Sequence, residues 1–248
     1  MPLKTIDINA DVGESYGNFQ VGQDAELMPY LTSCNMACGY HGGDPLTMHR
    51  TISLALEHQV AIGAHPSYPD LMGFGRRRMM IPPDELKRLI EYQVFALKGM
   101  VEAQGGQLHH VKPHGALNNH MMDNLVILDL IMETIHDIDP KLLIYVPYHP
   151  SVRKSENLRF ELFADRTYEA DLKLTPRSKP GGLIQLEEEM ATHLQPILEF
   201  GQVQTNAGFK SVEVDTVCIH GDNPGALAIA RRLHTMVNTH RIELTSVI

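Results

Sequence analysis

The chain has 248 residues, 43% of them hydrophobic, which is enough to bury a large core in one α/β barrel or two smaller domains. Its formal net charge is −9 at pH 7 and its longest basic run is three arginines at positions 76–78, so nucleic acid and anionic membranes are poor candidates for its main partner. The three cysteines form no Cys-x-x-Cys motif, no signal-peptide pattern precedes the first apolar run, and no apolar stretch approaches the roughly 20 residues that span a bilayer. We therefore expect a cytoplasmic protein with no membrane or nucleic-acid partner.

Short apolar runs alternate with helical patterns along the whole chain. Six of the seven runs show little alternation of period two, which is typical of parallel strands covered on both faces. The seven predicted strands are residues 5–10, 33–38, 60–64, 108–112, 142–147, 160–164 and 214–219. Residues 84–104 carry apolar side chains at three-and-four spacing, which predicts an amphipathic helix. Asp44-Pro45 and Asn223-Pro224 each predict a helix N-cap followed by proline in the first turn.

Seven strand–helix units without a linker predict one α/β domain over residues 1–248, folded as a barrel of parallel strands. An open, doubly wound sheet stays possible, because periodicity cannot show whether a sheet closes on itself. The segment 172–186 is rich in proline and glycine and predicts a loop or hairpin insertion.

Five of the strand-like runs lead into a histidine that is followed at once by glycine or proline. Glycine and proline stop a strand and turn the chain, so each histidine falls at a carboxyl end, where α/β proteins bind ligands. The five are His41, His65, His114, His149 and His220. His149 lies in a more polar segment, and we expect a structural role for it. The other four predict an active site at one mouth of the barrel.

Further ionisable and polar side chains accompany these histidines. Alternation along the first strand puts Asp7, Asn9 and Asp11 on one face, where inward polar groups are costly unless they are paired or bind a ligand. Lys112 lies at the mouth of a buried strand, where burial of an unpaired ammonium group also costs free energy. Its position therefore predicts that it forms a salt bridge, polarises a carbonyl or binds a phosphate. We expect six catalytic residues, Asp11, His65, Lys112, His114, Asp165 and His220, and four substrate-binding residues, Asn9, Asn35, His41 and Arg76.

Roles within this set follow from chemistry. Asp11 and His114 are the leading general acid/base pair, with His65 and His220 as the alternative pair. Lys112 is expected to neutralise negative charge that develops in the reaction, and Asp165 to hold Lys112 or a histidine in place.

Seven blocks in chain order resemble the LamB/YcsF family: DINADVGE at 7–14, NMACGYHGGDP at 35–45, GAHPSYPD at 63–70, GFGRR at 73–77, VKPHGAL at 111–117, FADR at 163–166 and HGD at 220–222. The resemblance implies a seven-stranded β/α barrel of the glycoside hydrolase/deacetylase type. It also implies ATP-dependent hydrolysis of the lactam ring of 5-oxo-L-proline to L-glutamate, as the A subunit of a 5-oxoprolinase complex with partner subunits B and C. Two positions depart from the family's pattern: Asn118 replaces an aromatic residue and Leu172 replaces glycine.

The resemblance does not show which subunit binds ATP, because the chain has no G-x-x-x-x-G-K-[ST] loop. Either ATP binds to an unusual rim of arginine, lysine and histidine, or a partner transfers the phosphoryl group. Two rival functions also remain. One is a stand-alone metal-dependent deacetylase or carbohydrate hydrolase with a divalent metal on Asp11, His41 and His65. The other is a non-catalytic scaffold for partner proteins. Whether a metal binds is undecided by the sequence.

Overall fold

The computed structural model describes residues 3–246. Its strands are β1 (Thr5–Val12), β2 (Ser33–Ala37), β3 (Ala61–His65), β4 (Leu108–Val111), β5 (Leu143–Pro147), β6 (Leu158–Phe163), β7 (Gln202–Thr205), β8 (Gly208–Ser211), β9 (Thr216–Ile219) and β10 (Glu243–Leu244). Seven of them pair in parallel in the order β1-β2-β3-β4-β5-β6-β9, and β9 pairs back to β1. The sheet therefore closes into a seven-stranded β/α barrel. The predicted fold class is confirmed, and the open sheet is excluded.

Helices cover the outside of this barrel. They are α1 (Asp24–Leu27), α2 (Pro45–Glu57), α3 (Pro83–Ala103), α4 (Gly115–Asp123), α5 (Leu125–Ile138), α6 (Glu187–Phe200) and α7 (Ala226–Thr239). Asp44 caps α2 as predicted, since its carboxylate accepts hydrogen bonds from the Leu46 and Thr47 amides and Pro45 occupies the first turn. Within residues 3–246, no helix has both the length and the apolar character needed to cross a membrane.

The predicted N-cap at Asn223 is wrong. α7 begins at Ala226, three residues later, and Gly225 occupies the N-cap position. The Asn223 side chain is used elsewhere, because its amide donates hydrogen bonds to Asp165 and to the Ile184 carbonyl. The Asn223 Oδ1 accepts a hydrogen bond from the Gly225 amide, so this oxygen closes a turn directly before α7 and does not cap the first turn of the helix.

The barrel has a polar interior and an apolar exterior. Along β1, Ile6, Ile8 and Ala10 are fully buried against the helices. The alternate residues point inward, as predicted. Asp7 accepts hydrogen bonds from Ser33 and Thr216, and Asn9 donates hydrogen bonds to Thr216 and Glu161, all on other strands. Buried polar groups persist only when they are paired, so this network fixes the register of the strands around the barrel.

Two features outside the barrel were not predicted. The first is an antiparallel hairpin of β7 and β8, and the second is β10, which pairs in parallel with β1 at its amino end. The segment 172–186 is irregular, as predicted, and is tied down by isolated bridges such as Arg166 with Leu183. Leu172 has a φ of 67°, a left-handed backbone conformation in which glycine is ordinarily favoured. Leu172 therefore adopts the backbone conformation that the expected glycine would favour.

Candidate functional site

A pocket of about 470 Å³ opens at the carboxyl ends of the barrel strands. Segment 172–186 forms part of its wall, with Leu172, Lys173 and Arg177 facing the space. Six of the predicted site residues line it: Asp11, His65, Arg76, Lys112, His114 and His220. The other four do not line it, but each contacts a residue that does: Asn9 contacts Lys112, Asn35 contacts Asp11, His41 stacks on His114, and Asp165 binds His220.

Lys112 is the centre of a buried ion-pair network at the floor of the pocket. Its Nζ lies 2.9 Å from Asp11 Oδ1, 2.9 Å from Glu161 Oε1 and 2.9 Å from Cys218 Sγ. Burial alone would lower the pKa of Lys112, but Asp11 and Glu161 raise it well above its ordinary value. Burial likewise acts to raise the pKa of Asp11, and the neighbouring His65 and Lys112 lower it far below its usual range. Asp11 is therefore a carboxylate and Lys112 an ammonium at neutral pH.

Asp165 and His220 form a second pair at the mouth. The His220 Nδ1 lies 2.8 Å from Asp165 Oδ1, and Asn223 donates to the other carboxylate oxygen at 3.1 Å. Asp165 is fully buried, and although burial acts to raise its pKa, His220 and Asn223 lower it below its ordinary value. A carboxylate bound to Nδ1 fixes the tautomer of the ring and leaves Nε2 free for proton exchange. The prediction that Asp165 holds a histidine fits this geometry, whereas Asp165 makes no ion pair with Lys112 among the described residues.

Three histidines and a glutamate form a compact cluster beside Asp11. His41, His65, His114 and Glu14 each offer a donor atom, and these atoms all lie within 4.8 Å of one another. The His41 and His114 rings stack with centroids 3.7 Å apart, and His65 meets both rings edge-on. Gly75 permits this packing. It has a φ of 64°, and a Cβ at this position would lie 2.6 Å from the His114 ring.

Burial sets the charge of this cluster. It lowers the pKa of His41 and of His114 well below the ordinary value, and the neighbouring His65 adds to the effect in both. Burial also raises the pKa of Glu14, with further contributions from Asp11 and Asp222. Neutral imidazoles beside a carboxyl group are the chemical set that binds transition-metal ions. A second group, formed by Asp11, Cys218 and His220, also has donor atoms within 4.8 Å, but Lys112 Nζ lies between two of its members and opposes a cation there.

The structure does not bring the leading predicted acid/base pair together. Both nitrogens of His114 face protein atoms: Nε2 lies 2.9 Å from the Phe74 carbonyl oxygen and Nδ1 lies 3.0 Å from His65 Nε2. His65 stands between His114 and Asp11, with its Nε2 3.4 Å from Asp11 Oδ2. His220 is the better partner for Asp11, because their donor atoms lie within 4.8 Å and its outer nitrogen is unhindered by Asp165.

The arginines at the mouth are held by a single carboxylate. Arg76 lies 2.5 Å and Arg177 2.9 Å from Asp222 Oδ2, so Asp222 joins the loop after β3 to segment 172–186. Arg77 instead pairs with Asp70, and Arg78 lies 3.7 Å from Asp123; neither arginine lines the pocket. Asp222 therefore links two loops across the pocket.

Sequence reasoning missed three residues of the site: Glu14, Glu161 and Arg177. Glu14 stands in the same run as Asp11 and could have been found from that position. Glu161 alternates with buried apolar residues on β6, a period-two signal for an inward carboxylate. Arg177 had no such signal, because its place depends on how segment 172–186 folds back over the mouth.

Fold and site together define a β/α-barrel protein whose pocket, at the carboxyl ends of the strands, is lined with histidines, carboxylates and a buried lysine. The model of the LamB/YcsF family matches residues 6–248. The chain therefore belongs to the LamB/YcsF family.

Similar proteins agree with that assignment. The chain is 44% identical to the A subunit of the 5-oxoprolinase of Geobacillus kaustophilus, over 98% of this chain and 96% of that protein. It is 43% identical to the A subunit of the 5-oxoprolinase of Vibrio cholerae, over 96% of this chain and all of that protein. The crystal structure of the lactam utilization protein from Thermus thermophilus superposes with a TM-score of 0.89 at 38% identity, covering 98% of this chain and 99% of that one.

Proposed function

We propose that this chain is the A subunit of a cytoplasmic, ATP-dependent 5-oxoprolinase, a hydrolase that opens the lactam ring of 5-oxo-L-proline to give L-glutamate. One observation carries the proposal: the similarity to proteins named as the A subunit of 5-oxoprolinase extends over nearly the full length of both chains. The pocket supports it, because it combines a carboxylate, an oriented histidine and a fixed positive charge in one space. We further propose that the chain acts as one barrel domain with partner subunits B and C.

The chemistry explains why ATP is needed. A five-membered lactam is a stable amide, and its carbonyl carbon is a poor electrophile. Transfer of the γ-phosphoryl group of ATP to the lactam oxygen, with release of ADP, would activate that carbon. Water then adds to it, the carbon–nitrogen bond breaks as the nitrogen takes up a proton, and a second water releases phosphate from the resulting acyl phosphate. Without a proton on nitrogen the adduct would expel phosphate and return to the lactam, so a proton donor is essential.

We assign the phosphoryl transfer to the partner subunits. Every arginine and lysine that lines the pocket within residues 3–246 already has a partner in the chain. Lys112 is bound by Asp11 and Glu161, Arg76 and Arg177 by Asp222, Lys173 by Asp123, and Arg166 by the carbonyls of Gly182 and Thr175. A triphosphate would have to displace several of these pairs. Ring opening of the already activated lactam fits the pocket better.

Within the pocket, His220 is the proposed proton donor to the ring nitrogen. Asp165 holds its Nδ1 and so presents Nε2 to the substrate. Asp11, kept ionised by Lys112, is the proposed base that takes a proton from the attacking water. Lys112 supplies a fixed positive charge beneath the reacting carbon and needs no rearrangement during the reaction.

Reconstitution tests the proposal. The purified chain alone should form no glutamate from 5-oxoproline and ATP, and addition of both partner subunits should start glutamate formation in step with ADP release. A chain that turns over 5-oxoproline alone, or partners that turn it over equally well without this chain, would refute the division of labour. Release of acetate from acetylated sugars by the chain alone would instead favour the deacetylase alternative.

A further inference from the structure

The orientation of two neighbouring histidines leaves an unexplained contact. His65 Nδ1 lies 2.5 Å from the Lys112 carbonyl oxygen, so that nitrogen carries a proton, and in the neutral ring Nε2 carries a lone pair. His114 Nε2 lies 2.9 Å from the Phe74 carbonyl oxygen, which likewise leaves a lone pair on Nδ1. These two bare nitrogens face each other at 3.0 Å. Two acceptors at this distance repel unless a proton or a cation lies against both.

A third donor lies at the same place. Glu14 Oε1 is 3.7 Å from His114 Nδ1, and the candidate donor atoms of Glu14, His65 and His114 all lie within 4.8 Å of one another. In a tetrahedral zinc site with bonds of about 2.0–2.1 Å, the ligand atoms are separated by about 3.3 Å. The His114–His65 separation of 3.0 Å and the His114–Glu14 separation of 3.7 Å lie on either side of that value, so small side-chain movements would form the site.

The buried carboxyl groups around these two nitrogens distinguish a metal ion from a proton. Asp11, Glu14 and Glu161 are three buried carboxyl groups, and the only buried ammonium beside them is Lys112 among the residues described. A proton shared by His65 and His114 would add one positive charge. A divalent ion would accept both lone pairs and also bind the Glu14 carboxylate, which a proton shared by the two rings cannot do.

We infer that Glu14, His65 and His114 form a binding site for one divalent transition-metal ion, either Zn²⁺ or an ion that prefers the same nitrogen and oxygen ligands. The stacked ring of His41 lies in a plane parallel to that of His114 and cannot share a cation with it in both ring planes. His41 instead lies 3.0 Å from Glu14 Oε1 through Nε2, which makes it a positioning residue for the carboxylate. This set differs from the Asp11, His41 and His65 set expected from the sequence.

Three protein ligands leave one position of a tetrahedral ion open, which is the arrangement of catalytic rather than structural sites. His65 and His114 line the pocket, so a metal ion held by them would lie beside the space in which a substrate would bind. The inference does not depend on the identity of that substrate, and its test uses neither lactam nor partner subunits.

Cobalt(II) is a suitable probe, because its visible absorption reports the geometry and number of its nitrogen and oxygen ligands. The full chain, stripped with EDTA and titrated with Co²⁺, should bind one equivalent with tetrahedral absorption bands, and Zn²⁺ should displace it. His65→Ala and His114→Ala should weaken binding by more than about 100-fold, and His41→Gln by about 10–100-fold, the range for loss of an outer hydrogen bond. His149→Gln removes a histidine from the wall of the same pocket and should bind Co²⁺ like the unmodified chain.

Stoichiometric binding that fails in the His65 and His114 variants supports the site. Absence of stoichiometric binding, or unchanged binding in both variants, overturns it and assigns the contact to a proton shared by the two rings. If the alanine variants do not fold, as judged by circular dichroism, Glu14→Gln decides the matter. This change keeps an acceptor for His41 while removing the anionic ligand, and an unchanged dissociation constant would overturn the inference.

Discussion

Replacement of Lys112 by methionine removes the charge at the centre of the pocket floor while keeping most of the side chain's bulk. The Lys112 ammonium contacts Asp11, Glu161 and Cys218, and all four side chains are buried. Loss of one partner from a buried ion pair leaves an uncompensated charge and costs about 3–5 kcal/mol. We expect Lys112→Met to lower the free energy of unfolding at pH 7 by this amount, and to lower kcat in the reconstituted complex by about 100-fold or more.

The loss of unfolding free energy in Lys112→Met should depend on pH in a defined direction. The pKa of Asp11 is lowered in the folded protein, so its contribution to stability is present above its unfolded pKa of about 3.9 and is lost as the pH falls below that value. In Lys112→Met that contribution disappears and the buried carboxyl groups protonate more readily. The difference between variant and unmodified chain should therefore be largest at pH 7 and should shrink towards pH 4. Urea denaturation followed by circular dichroism measures it.

Two further variants serve as controls. Lys87→Met breaks an exposed pair, in which Lys87 Nζ lies 2.7 Å from Asp137, and should leave the free energy of unfolding nearly unchanged. The double change of Lys112→Met with Glu161→Gln removes one of the uncompensated carboxylates and should recover part of the lost stability. A folded Lys112→Met chain with unchanged unfolding free energy and normal turnover would refute the reasoning about the pocket floor.

Three other predictions follow from single contacts. Burial raises the pKa of Asp24 to about 6, so its ionisation destabilises the fold as the pH rises through that range. Asp24→Asn should therefore be more stable than the unmodified chain by about 1–2 kcal/mol at pH 7 but not at pH 4, as measured by urea denaturation. Gly63→Ala would place a Cβ 2.1 Å from His110 Nε2, and this overpacking should cost about 1–3 kcal/mol in the same assay. Asp165→Asn should lower kcat by about 100-fold or more and shift its pH profile, with little change in KM, because His220 loses the partner that fixes its tautomer.

The strands of the barrel could be predicted from the sequence because each is a short apolar run, and such runs are local signals. The number of strand–helix units favoured a closed barrel, but the pattern could not exclude an open sheet, since closure depends on hydrogen bonds between β1 and β9, which lie far apart along the chain. The hairpin of β7 and β8 could not be predicted for a different reason. Its strands have four residues each and carry polar side chains such as Gln202 and Lys210, so no apolar run marks them.

The site was predictable where its residues follow strands directly. Strand-end position indicated His65, His114 and His220, and alternation indicated Asp11, and all four line one pocket. The partners of these residues could not be read from the sequence, because they depend on the register of strands across the barrel. Lys112 thus contacts Glu161 on β6, and the predicted pairing of Asp11 with His114 is interrupted by His65.

The most direct test of the proposed function is the loss of ring opening in a His220→Gln variant of the reconstituted complex. Glutamate formation from 5-oxoproline should fall by about 100-fold or more, the contribution of a positioned proton donor. His149→Gln, which changes another histidine of the same pocket, should retain normal turnover. Circular dichroism should show both variants folded. Near-normal glutamate formation by the folded His220→Gln variant would contradict the assignment of ring opening to this pocket.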